Sequence, residues 1–98
     1  MIIDSGATSH MISDQTQFIN FREKPSVVNL AGDNKITSRG RGDTKWLKDV
    51  LYVPGLKFEL ISISKLNQDG MRTVFENNKV YVINKDGLFT ADCDSALL

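Results

Sequence analysis

Ile2-Ile3-Asp4-Ser5-Gly6-Ala7 is the stretch on which the reading of the fold turns. The β-branched pair marks a short strand, residues 1–4, that delivers a carboxylate to its mouth. Gly6 lets the backbone turn and approach a substrate or a second copy of the chain. Ser5 and Ala7 are small and leave room around the carboxylate, and the Ser5 hydroxyl can donate to a neighbouring chain. Alone, these residues also fit an ordinary turn in which Asp4 caps its own backbone. The remainder of the chain decides between the two.

Working outward, the apolar residues fall in short runs of strand length, not in long helical stripes. Met11-Ile12 begins a second extended piece, and residues 15–22 fit either a helical turn or an irregular strand. Pro25 is expected to break whatever precedes it. Residues 26–31 then read as a strand, Gly32-Asp33-Asn34 as a tight turn and residues 35–38 as the returning strand. Gly32, Gly40 and Gly42 are expected to make this hairpin free to bend. Residues 46–53 form the longest β-like run, apolar on both faces and so buried on both. After the Pro54-Gly55 turn, residues 62–69 are the one good helix candidate, with Ser62 as N-cap and Gly70 at C′. Two more strands flank Asn77-Asn78, and another follows Asp86-Gly87. The whole is an all-β chain with one short helix.

Ninety-eight residues suffice for one domain, 1–98, with residues 92–98 expected as an irregular tail. Apolar residues make up 41% and charged residues 24%, the profile of a globular protein. Twelve basic and twelve acidic side chains cancel, so no broad attraction for nucleic acid follows and no direct nucleic-acid partner is expected. No stretch is long and apolar enough to span a bilayer as a helix, and no membrane partner is expected. Cys93 is alone, which excludes an internal disulfide, fits a reducing compartment and reads as an idle thiol. One His and one Cys do not make a typical zinc site, and no metal or cofactor is expected. His10 beside Ser5 and Ser9 lacks the order of a serine-nucleophile triad and reads as a surface or capping residue. Arg39-Gly40-Arg41-Gly42 with Lys45 and Trp46 reads as a solvated hairpin because Asp43 and Asp49 lie beside it.

Four blocks together resemble the aspartic protease of Ty1/copia-type retrotransposon polyproteins. They are Ile2-Ile3-Asp4-Ser5-Gly6-Ala7-Thr8-Ser9-His10; Val28-Asn29-Leu30-Ala31-Gly32; residues 47–56, Leu-Lys-Asp-Val-Leu-Tyr-Val-Pro-Gly-Leu; and Leu60-Ile61-Ser62-Ile63-Ser64-Lys65-Leu66 on to Gly70. The resemblance implies a retropepsin-like closed β-barrel or sandwich with a flap hairpin, acting as a homodimer. It implies a catalytic Asp4 on a loop completed by Ser5, Gly6 and Ala7, with a second Asp4 supplied by the partner copy. Leu30, Ala31, Gly32, Asp33, Asn34 and Lys35 would lie over the substrate as the flap. Val53, Leu56, Phe58 and Leu60 would wall its pockets, although each also fits plain core packing. The implied activity is endoproteolysis of a Gag-Pol precursor inside cytoplasmic virus-like particles. A catalytically inactive or domesticated binding module on the same fold is the alternative. Two departures from the retroviral pattern stand out: Ser62 replaces a Gly that permits close backbone contact, and Thr8 and Ile63 replace an acid–base pair. Loss of that pair implies a weaker dimer.

Overall fold

Short apolar runs punctuated by turn residues become strands in the computed structural model, which describes residues 2–4, 6–29, 34–77, 79–84, 87–92 and 96–97. In chain order the elements are β1 (Ile2–Asp4), β2 (Met11–Ile12), a 3-10 turn at Gln15–Gln17, β3 (Phe18–Asn29), β4 (Lys35–Thr44), β5 (Val50–Tyr52) and β6 (Leu60–Ser62). There follow α1 (Ile63–Gln68), β7 (Arg72–Glu76), β8 (Lys79–Asn84), β9 (Gly87–Asp92) and β10 (Ala96–Leu97). The fold is thus mostly β with one short helix, as the sequence pattern predicts. Two compact units divide the chain: Met1–Thr8 with Leu60–Leu98, and Ser9–Glu59.

In the first unit β1 lies between two parallel strands. Ile2, Ile3 and Asp4 pair with Leu60, Ile61 and Ser62 of β6, while Ile3 and Asp4 pair with Ala96 and Leu97 of β10. The tail expected to be irregular therefore contains a strand. Two residues carry no periodicity to read, and their partner is more than ninety positions away in the chain. Ile3 and Ile61 are fully buried, which explains why the β-branched pair anchors this sheet. α1 has the expected caps. Ser62 Oγ accepts from the Lys65 N–H at 3.1 Å. Gly70, at φ +81°, donates to the Asn67 carbonyl, and Met71 donates to Leu66, a Schellman ending that needs the left-handed residue. A six-residue helix is not stable alone; Leu66, wholly buried, ties it down. β7, β8 and β9 form an antiparallel meander, with Val80 and Val82 of β8 buried.

In the second unit the order is β2-β5-β4-β3. β2 runs parallel to β5, and the other pairs are antiparallel. Met11, Ile12, Leu47, Val50, Leu51 and Val53 are buried, and Phe18, Phe21 and Tyr52 stack edge-to-face with centroids 5.3–6.1 Å apart. Four expectations need correction here. Pro25 does not end a strand: β3 passes through it, with a register shift between Glu23 and Ser26. β3 is an edge strand, where the N–H that proline lacks is not needed. Gly40 and Gly42 are not hinges. Both are buried, and a Cβ at either would strike a backbone carbonyl of β3, that of Arg22 or Asn20. The run 46–53 is a strand only at Val50–Tyr52. Before it, Thr44 Oγ1 accepts from the Leu47 N–H, Asp43 Oδ1 accepts from the Asp49 N–H, and Asp49 takes φ +54°, so side chains build a loop where hydropathy alone reads a strand. Finally, His10 is buried, because its carbonyl accepts from the Leu51 N–H and carries the residue into the core with β2.

The expected closed barrel is not formed: the sheet is open. β3 has β4 on one side and no strand on the other among the described residues. Arg22, Glu23, Lys24, Pro25 and the adjacent bulge are the features that keep a strand edge from pairing further.

Candidate active site

Asp4 is the last residue of β1, opposite Ser62 of β6, and is half-buried. The chain turns sharply after it. Gly6 N–H donates to Asp4 Oδ1 at 2.8 Å, the self-capping turn that the local sequence also fits, and this bond orients one carboxylate oxygen while leaving the other without a described partner. A Cβ at position 6 would lie 3.4 Å from the same oxygen, so glycine keeps that side of the carboxylate clear. Two serines then hold the loop. Ser62 Oγ donates to the Ala7 carbonyl at 2.6 Å, and Ser64 Oγ donates to it at 3.2 Å. The two hydroxyls are 3.1 Å apart.

Ser62 therefore acts twice. Its oxygen caps α1, and its proton goes to the loop that follows Asp4. A Gly at this position permits close backbone contact. Here the side chain is wholly buried and supplies a hydrogen bond that a Gly lacks. Sequence reading finds Ser62 as a cap but does not find the bridge to Ala7, and it misses Ser64. The available signal is Ser-x-Ser at a strand-to-helix junction, where an N-cap hydroxyl still has a proton to donate.

Of the other expected site residues, Leu60 is half-buried in β6 and pairs with Ile2 in the first unit. In the second unit, β3 and β4 form the hairpin expected to be the flap, paired from Phe18↔Thr44 to Asn29↔Lys35. Asn34 and Lys35 are exposed at the start of β4. Ser5, Leu30, Ala31, Gly32 and Asp33 lie outside the described residues, as does Cys93. β4 pairs with β5 only over Gly40–Gly42, so the half of the hairpin beyond Gly40 is laddered only to itself among the described residues. Val53 is buried, Leu56 half-buried and Phe58 exposed.

At the hairpin base, the Asp49 N–H and then the Asn20 amide hold the Asp43 carboxyl below its usual range. Asp14, which caps the 3-10 turn, is likewise lowered, mainly by the Thr16 hydroxyl and then its N–H. Arg41 Nη1 reaches both oxygens of Asp49, at 3.0 and 3.1 Å.

A family model described as Pol polyprotein, beta-barrel domain matches residues 1–71, which include the Asp4 loop, the hairpin and α1. No solved structure matches the chain.

Proposed function

The chain belongs to the family of Pol polyprotein β-barrel domains, and on that premise we propose that it is the aspartic endopeptidase of a Ty1/copia-like retrotransposon. Its substrate is the Gag-Pol precursor, cut inside cytoplasmic virus-like particles. The observation that carries this reading is the state of Asp4. Its carboxylate ends a strand, keeps partial exposure, and takes its one described hydrogen bond from the loop's own Gly6. No cation or buried partner neutralises it among the described residues.

One such carboxylate is half of a catalytic pair. Two copies related by a two-fold axis bring two Asp4 side chains together, and at about 3 Å they cannot both ionise, so they share a proton. The ionised partner takes a proton from a bound water, which attacks the peptide carbonyl. The protonated partner donates to the carbonyl oxygen. The Ser62 and Ser64 hydroxyls keep the Ala7 carbonyl fixed, so the loop meets its twin in one geometry. The β3–β4 hairpin serves as the flap, and the substrate lies extended beneath it.

The test is Asp4→Asn in the full chain, assayed on a peptide spanning a precursor junction. Activity is expected to fall by at least about 10³-fold, with the circular dichroism spectrum unchanged because Asn retains an acceptor for the Gly6 N–H. Mixing in the variant should suppress wild-type activity as the square of the wild-type fraction, since each mixed pair lacks one acid. A linear decrease would exclude the shared dyad. Unchanged precursor binding without any cleavage by the wild type would favour an assembly module.

A further inference from the structure

We infer that the base of the β3–β4 hairpin carries a second site, one that binds the phosphate backbone of a nucleic acid, because Arg22, Lys24 and Arg41 line one cavity with Ser26 and a single carboxylate, Glu23. The cavity is open and holds about 610 Å³. Arg22 stands directly opposite Arg41 in the β-ladder. Like charges directly opposite on a sheet are destabilising, so this pairing works against the fold locally. Such a conflict is expected where a site is kept for a ligand.

The nearby acids resolve the conflict only in part: Asp49 pairs Arg41, and Asp43 attracts Arg22 at longer range. Asp49 is engaged by Arg41 with both oxygens, and Glu23 lies 3.5 Å from Arg39. Asp43 is held by the Asp49 N–H and Asn20. Arg22 and Lys24 form no ion pair among the described residues. Charge is also segregated along the chain. Positions 18–49 carry seven bases and four acids, a net +3, within a chain of net zero. Whole-chain neutrality rules out a broad field and is silent on a local one. With Arg41 held by Asp49, the Arg22 guanidinium and the Lys24 ammonium beside the Ser26 hydroxyl match phosphate oxygens better than the isolated carboxylates of a peptide. The repeated charge of a phosphodiester chain fits cations spaced along one strand.

The experiment is fluorescence anisotropy of a labelled single-stranded oligonucleotide against the full chain over a range of salt. The wild type is expected to bind at low salt, with log affinity falling linearly in log salt. Arg22→Gln with Lys24→Gln should weaken binding about tenfold or more and reduce that slope by about 1.4, two phosphate contacts at roughly 0.7 each. Glu23→Gln, which removes the lone carboxylate, should tighten binding. All three positions are exposed, so circular dichroism should not change. Asp4→Asn should bind as the wild type does, which keeps this site separate from proteolysis. Absence of binding at low salt, or a slope unchanged in the double variant, would overturn the site. Competition by polyglutamate equal to that of the oligonucleotide would also overturn it, and would assign the surface to an acidic protein.

Discussion

The Asp4 loop and the β3–β4 hairpin are held by opposite means. The loop is tied by side chains: two serine hydroxyls converge on one carbonyl, and one of them also caps a helix. The outer half of the hairpin is tied mainly by its own β3–β4 ladder, with Val27 mostly exposed and no third strand beyond Gly40 among the described residues; side chains join in only at its inner end, through Ser38 and the Arg39–Glu23 pair. On the proposed function, a carboxylate that meets its twin at a fixed distance needs a rigid support. On the same proposal, a flap that admits and releases a peptide needs the reverse: few buried contacts and a low cost of local opening.

The largest way to break this contrast is at the hairpin's inner end, where freedom stops. Gly40→Ala forces a Cβ into the Arg22 carbonyl and the Phe21 ring. It should cost about 3 kcal/mol by overpacking, read as a fall in the urea midpoint. If Gly40 served flexibility instead, alanine would be neutral or stabilising. The next effect lies at the loop. Ser62→Ala removes the Ala7 bridge and the helix cap together and should cost about 2 kcal/mol. Ser62→Gly separates the two roles, because glycine keeps most of the cap but none of the bridge. Stability should return by a few tenths to about 1 kcal/mol, whereas peptidase activity should stay low in both variants. Full activity in Ser62→Gly would show that the bridge does not position the loop. Ser64→Ala, at an exposed hydroxyl, should cost about 0.5 kcal/mol. Its effect should be non-additive with Ser62→Ala, since both hydroxyls serve the same oxygen.

How far the chain could be read follows the same division. Local chemistry was legible: Ser62 and Gly70 bound a helix over Ile63–Gln68, and apolar runs around Asn77 form the β7–β8 hairpin. Pairings between distant segments were not. Ala96–Leu97 has no pattern of its own and becomes a strand only because β1 offers an edge. Pro25 and Gly40 were read by their usual local effects, whereas the neighbouring strand decides both: one sits on an edge, the other under a carbonyl. In the candidate site, the strand end and the turn at Asp4 were legible from the local sequence. The Ser62–Ala7 bridge spans 55 positions and was not. The Arg22–Arg41 pairing needed the register, because composition averages these bases against acids elsewhere.

The smallest effect probes the electrostatics of the hairpin base. Asp43 has its carboxyl lowered from 3.8, first by the Asp49 N–H and then by Asn20, with Lys48 and Arg22 adding at longer range. A carboxylate whose folded value is depressed stabilises the protein above its unfolded value, and that contribution is lost as pH falls through the folded value. Asp43→Asn keeps an acceptor for the Asp49 N–H but gives up the charge. The stability difference between wild type and variant should therefore be constant from pH 7 to about 4.5 and close below about 3.8. Solvent screening at this half-exposed position keeps the whole difference to a fraction of about 1 kcal/mol. Thermal melts of both proteins across that window measure it, and other carboxyls cancel in the subtraction. A gap that persists to pH 2 would mean that Asp43 acts through its hydrogen bonds alone. In that case the bases around it, Arg22 included, would have no attraction to its charge and would be freer still for an outside anion.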